Sequence, residues 1–151
     1  MIQGYFSMEA NRRRPFIEAV FQFPTADEGF EVPVLIDTGA DRTILAPLDA
    51  LRLALRFDID FTTFEQGRPS IGVGGQVSTR LVDVDLRIDA FSTPMQLTVL
   101  EPPASGRISH IPSLLGRDII SRFGLLVDQR TEQVLLLEDD EVDALHLPLG
   151  H

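Results

Sequence analysis

The segment Val34-Leu35-Ile36-Asp37-Thr38-Gly39-Ala40-Asp41 holds the residue best placed for chemistry. An apolar strand delivers Asp37 to its own end, and Thr38-Gly39 then turns the chain sharply. A carboxylate raised on such a rigid support is suited to proton transfer. Gly39 lets a neighbouring backbone or a substrate come close. The same pattern also fits an acidic turn after a buried strand. A second segment, Ser70-Ile71-Gly72-Val73-Gly74-Gly75-Gln76, reads as the tip of a flexible hairpin. It is no phosphate loop, because no Gly-Lys-Ser/Thr follows and Val77 onward is strand-like, not helical. A third, Leu114-Leu115-Gly116-Arg117-Asp118-Ile119-Ile120, reads as the start of a helix with a charged first turn.

The elements that must position these residues are mostly short strands. Phe16 to Phe23 alternates, with Ile17, Ala19, Phe21 and Phe23 on one face. Pro24 to Gly29 is a polar turn, and Glu31 to Ile36 completes a hairpin that runs into Asp37. Val82, Val84, Leu86 and Ile88 share a face opposite Leu81, Asp83, Asp85 and Arg87, the pattern of half-buried antiparallel sheet. Met95 to Leu100, Leu125 to Asp128 and Val134 to Leu137 are further strands, the last two joined by a turn over Gln129 to Glu132. Helices are expected over Pro47 to Leu55, with Pro in the first turn, and over Arg117 to Phe123, stopped by Gly124. Glu101 to Pro112 is a loop. The fold class is therefore all-β with one or two short helices.

Composition narrows the function. The chain has 151 residues, enough for one domain with its own core, and no cysteine. Disulfides, thiolate metal sites and cysteine nucleophiles are thus excluded. His110, His146 and His151 are scattered without ligand spacing, so neither a metal nor another cofactor is expected. The net charge of −10 argues against nucleic acid or an anionic membrane as partner. Arg12-Arg13-Arg14 is too short a basic run to reverse that. Neither a secretory signal nor a run of about 18 apolar residues is visible, so a soluble, cytoplasmic protein is expected. The acidic run from Glu138 to Asp143 reads as a solvated surface.

Taken together, the three segments resemble the signature of the retropepsin-type aspartic proteases, in that family's order. Asp37-Thr38-Gly39-Ala40 resembles the active-site motif, residues 70–76 the flap that closes over bound peptide, and Leu114 to Asp118 the segment opening the family's single helix. Arg14-Pro15-Phe16 is similar to the start of the family's chains. The interval from Asp37 to Gly116 is longer than in the viral enzymes, with the extra length in 47–68 and 101–112. The resemblance spans residues 14–137, leaving 1–13 as an N-terminal segment that could touch a partner subunit and 138–151 as an acidic tail.

The resemblance implies a closed β-barrel subunit and an aspartic endopeptidase. Only one Asp-Thr-Gly occurs, and peptide hydrolysis by this route needs two carboxylates sharing a proton, so a homodimer with the active site on its twofold axis is implied. The implied catalytic residues are Asp37, Thr38 and Gly39, with Thr38 cross-linking the two active-site loops. Substrate contacts are implied for Ala40, Asp41, Ile71, Gly72, Val73, Gly74 and Gly75. Arg14, Leu115, Gly116 and Arg117 are implied as structural support, with Arg117 pairing to Asp41. Arg42 follows Asp41 where viral enzymes often carry an acid, which should alter the outer subsites. The alternative is an inert module of the same fold that dimerises or binds peptide.

Overall fold

The computed structural model describes residues 1–9, 11–72, 75–104, 108 and 110–148. The chain opens with β1 (Ile2–Gln3), β2 (Tyr5–Glu9), β3 (Arg12–Gln22), β4 (Phe30–Ile36) and β5 (Ile44–Leu45). Helix α1 (Pro47–Phe57) and a single 3-10 turn at Phe61–Thr63 follow. Then come β6 (Glu65–Gln66), β7 (Ser70–Gly72), β8 (Gly75–Val77), β9 (Thr79–Ile88) and β10 (Phe91–Leu100). The last part holds β11 (Ser113–Leu115), α2 (Arg117–Ile120), β12 (Gly124–Asp128), β13 (Gln133–Leu137) and α3 (Asp139–Ala144).

The main sheet runs β2-β3-β4-β11-β5-β10-β9-β6, and an added β3–β9 pairing joins its two sides. Strands β3, β4, β11, β5, β10 and β9 therefore close on themselves as a small barrel, which removes most of the exposed edge. Alternation fills the interior: Ala19, Phe21, Val32, Val34, Leu86, Leu97 and Val99 are all buried. Glu18, Glu31, Asp83, Asp85 and Arg87, which alternate with them, are exposed. A separate three-stranded sheet orders β1-β13-β12. It ties the N-terminal segment to the C-terminal hairpin, with Ile2 opposite Leu136.

Helix α1 lies against β10 and buries Ala50 and Leu53 while Leu55 stays exposed. It ends with Asp58 in the left-handed region, its N–H returning to the Ala54 carbonyl. Ser113, fully buried, fixes the other end: its hydroxyl donates to Asp49 at 2.7 Å and accepts the Ala46 N–H at 2.9 Å. A buried hydroxyl with both roles filled is inexpensive to bury. It fastens helix α1 to the strand that runs past Asp37.

Three expectations need correction. The β10 strand starts at Phe91, not Met95, because Asp89 takes a left-handed conformation (φ 52°) and turns β9 directly into it. Helix α2 ends at Ile120, and Gly124 does not stop it; Gly124 starts β12. Its bare Cα faces α3 instead, where an added Cβ would lie 2.3 Å from Val142 Cγ2. The acidic run also forms a third helix, α3, so the helix count exceeds one or two. There Glu138 and Glu141 form a reciprocal capping box, and acids in the first turn complement the helix dipole. Glutamate is an unusual N-cap, which is why the sequence pattern hid it.

Candidate active site

Asp37 stands where three short segments meet. The loop 37–43 connects β4 to β5, yet these strands are not neighbours: β11 lies between them, parallel to β4 and antiparallel to β5. The loop must therefore arch over the end of β11, where Leu115-Gly116 emerges. Gly116 is the one residue type that fits under the arch. A Cβ there would sit 2.4 Å from the Arg42 carbonyl carbon and 2.5 Å from its oxygen, both backbone atoms that cannot step aside. Leu115 beside it is fully buried in the core.

The arch is held along its whole length. The Asp37 N–H donates to the Leu115 carbonyl at 3.1 Å, and the Ala40 N–H closes a turn on the Asp37 carbonyl at 3.2 Å. The Gly39 N–H donates to Asp37 Oδ1 at 2.9 Å, which orients the carboxylate. From the other side, Arg117 N–H donates to the Ala40 carbonyl at 2.8 Å and Asp118 N–H to the Asp41 carbonyl at 3.2 Å. The Arg117 guanidinium also pairs with the Asp41 carboxylate. This pair is more than half exposed on both partners, so it contributes little stability and mainly sets geometry.

Two residues without a role assigned from the sequence hold the arch from beneath. Thr43 is fully buried, and its hydroxyl donates to Asp118 Oδ1 at 2.8 Å while accepting the Gly116 N–H at 3.1 Å. Its backbone N–H points at both Asp118 oxygens, at 3.1 and 3.0 Å. One carboxylate on α2 thus satisfies the buried end of the loop that carries Asp37. The sequence signal was a Thr six residues after Asp37 and an Asp opening a helix. Neither announces a partner 75 residues away.

The remaining candidate residues are distributed as follows. Asp37 and Ala40 are partly exposed, and Thr38, Gly39 and Asp41 are exposed. Ile71, Gly72 and Gly75 lie in the β7–β8 hairpin, which among the described residues pairs with no other strand. Ile71 is 84% exposed, unusual for an isoleucine held in a strand. Val73 and Gly74 lie outside the described residues. Arg14 is not joined to Arg117 or Asp41 within the chain; its guanidinium reaches Glu9 at 3.6 Å. The β3–β4 register nonetheless ends at Phe16 opposite Leu35, so continuing it by two residues would set Arg14 across from Asp37. Among the described residues no group of three or more His, Cys, Asp or Glu side chains could hold a metal ion. Nor is any helix there long and apolar enough to cross a membrane.

No protein-family profile matches the sequence, and no curated protein does. Solved structures do. A retropepsin-like aspartic protease from Rickettsia conorii superposes with a TM-score of 0.55 at 18% identity, over 80% of this chain and 88% of that one. The EIAV protease complexed with the inhibitor HBY-793 gives 0.50 at 24% identity, over 76% of this chain and 92% of that one. The chain has the retropepsin-like fold. The retropepsin-like barrel accounts for the threading of β11 behind the 37–43 loop, which a sheet of sequential hairpins would not produce.

Proposed function

We propose that this chain is one half of a homodimeric aspartic endopeptidase. The observation that carries the reading is the placement of Asp37. It stands at the end of a buried strand, partly exposed, on a loop anchored from below by Thr43 and Asp118 and from the side by Arg117. Such a support keeps a carboxylate in one place without covering it, as proton transfer to water requires.

One carboxylate is half of the machinery. Two copies of Asp37 about a twofold axis would bring the carboxylates to about 3 Å of each other, where they cannot both ionise and so share one proton. The ionised partner takes a proton from the attacking water, and the protonated one donates to the carbonyl oxygen of the scissile peptide. Thr38 would tie the two loops together at the axis. Gly39, Ala40 and Asp41 would contact the peptide backbone, with Arg117 holding Asp41, Leu115 and Gly116 supporting the loop, and Arg14 a neighbour of the site. Exposure of Thr38, Asp41 and Arg117 in the single subunit fits a surface that a second subunit and a peptide would cover. The β7–β8 hairpin, with Ile71 bare, would close over the peptide as a flap; residues 70–76 include Val73 and Gly74. In this reading residues 14–137 form the protease unit, flanked by 1–13 and 138–151.

The test is cleavage of a diverse peptide pool by wild type and Asp37→Asn between about pH 4 and 7, alongside sedimentation of both proteins. Cleavage by a dimer, lost in the variant, is expected. Cleavage that survives Asp37→Asn would refute the mechanism.

A further inference from the structure

Arg42 is the residue after Asp41 on the arch, five positions beyond Asp37. It lines a cavity of about 280 Å³ together with Arg68, Thr79, Leu81, Gln96 and Thr98. Small-molecule sites commonly start at about 300 Å³, so this volume suits a single side chain better than a whole ligand. The cavity lies between the candidate catalytic loop and the root of the β7–β8 hairpin, because Arg42 leads into β5 and Arg68 leads into β7.

Both arginines are placed by their backbones. Arg42 is held where Gly116 packs against it, and the next residue is the buried Thr43. Arg68 is fastened through its carbonyl, which accepts the hydroxyl of the nearly buried Thr79 at 2.7 Å. Gly67 beside it donates to the Thr79 carbonyl at 3.0 Å, and a Cβ on Gly67 would lie 2.5 Å from the Thr79 hydroxyl oxygen. Thr98 and Leu81 face each other across the β9–β10 ladder, as Gln96 and Asp83 do. Asp83 lies outside the lining.

What sets this cavity apart is that two arginines without a carboxylate partner line it together; among the described residues Arg12, Arg87 and Arg122 also lack one, but none of them lines it. Arg13, Arg14, Arg52, Arg56, Arg80, Arg117 and Arg130 each pair with a carboxylate. Among the described residues, Arg42 and Arg68 do not. Two uncommitted guanidiniums thus flank one small cavity, with Gln and Thr side chains as further donors. Guanidinium forks match a carboxylate in shape and charge. We infer that this cavity is a specificity site that receives an acidic side chain, Glu or Asp, of a peptide bound beside Asp37. The inference rests on the peptide-binding part of the proposed function and not on turnover. Arg42 and Arg68 are specificity residues in it, not catalytic ones.

The experiment reads binding, so that it stands apart from catalysis. Peptides carrying a non-hydrolysable hydroxyethylene unit in place of the scissile bond, with Glu, Gln or Lys scanned through the flanking positions, are titrated into wild type and the double variant Arg42→Glu/Arg68→Glu. At one position wild type should bind Glu at least about tenfold more tightly than Gln, the advantage falling as salt rises. The double variant should prefer Lys there. Circular dichroism and the affinity for all-neutral peptides report whether the variant is folded. Equal affinity for Glu and Gln at every position overturns the inference, as does an acidic preference that persists in the variant, and so does failure of wild type to bind any peptide. Acid-selective binding without cleavage of the matching natural peptides would leave the cavity standing and refute the endopeptidase reading alone.

Discussion

Replacing Asp118 by Ala should destabilise the protein well beyond an ordinary surface substitution, and should loosen the loop that carries Asp37. The carboxylate accepts the backbone N–H of Thr43 at both oxygens and its hydroxyl at Oδ1. Thr43 has no exposed surface, so in the folded chain both donors depend on Asp118 for their acceptor. Each orphaned buried donor costs about 1–3 kcal/mol, giving about 2–6 kcal/mol for the pair. That is a large share of a net stability of about 5–15 kcal/mol. For a chain of 151 residues it corresponds to a fall in Tm of roughly 4–24 °C. Asp118→Asn keeps one carbonyl oxygen as acceptor and should lose less than half as much. Thr43→Val leaves Asp118 in place but strands the Gly116 N–H, so it should also destabilise. The double change should cost less than the sum, with a coupling of about 0.5–3 kcal/mol. Urea denaturation at one fixed protein concentration measures the four variants against wild type, fixed because any self-association would make stability depend on concentration. A loss for Asp118→Ala within about 0.5 kcal/mol of wild type, or simple additivity with Thr43→Val, would refute the reasoning.

Gly116→Ala should be among the most damaging single-methyl additions, costing at least about 1–3 kcal/mol, because the added carbon meets the fixed backbone of Arg42 and not a movable side chain. Thermal unfolding checks it, and a variant as stable as wild type would contradict the close approach. The β12–β13 turn should carry an acid-sensitive contribution. Hydrogen bonds from Thr131, and then from Arg130, hold the Asp128 carboxyl below its ordinary 3.8. A folded value lower than the unfolded one means that the native state binds fewer protons in acid. This contribution is therefore present above 3.8 and fades as pH falls through the depressed value. An NMR titration of the Asp128 carboxyl checks it, and a midpoint at or above 3.8 would refute it.

Much of the fold was legible in local pattern. The alternation of Ile17, Ala19, Phe21 and Phe23, and of Val82, Val84, Leu86 and Ile88, dictates strands with one buried face, because side chains in a strand repeat every two residues. The Asp37-Thr38-Gly39 turn and the helix opening at Arg117 were equally readable, since each rests on neighbours in sequence. The pairing of Arg117 with Asp41 came from family resemblance and is present in the folded chain.

Only the tertiary structure decided how these pieces meet. Strands β5 and β11 have two and three residues, too short for any periodicity, yet they thread β11 between β4 and β5 and so force the 37–43 loop into an arch. The bonds from Thr43 to Asp118, from Ser113 to Asp49 and from Gly67 to Thr79 join residues far apart in sequence, with no period or motif linking them. The same holds for the cavity shared by Arg42 and Arg68. A sequence states local preference at each residue; closure of the barrel determines which distant residues must satisfy one another once water has been excluded.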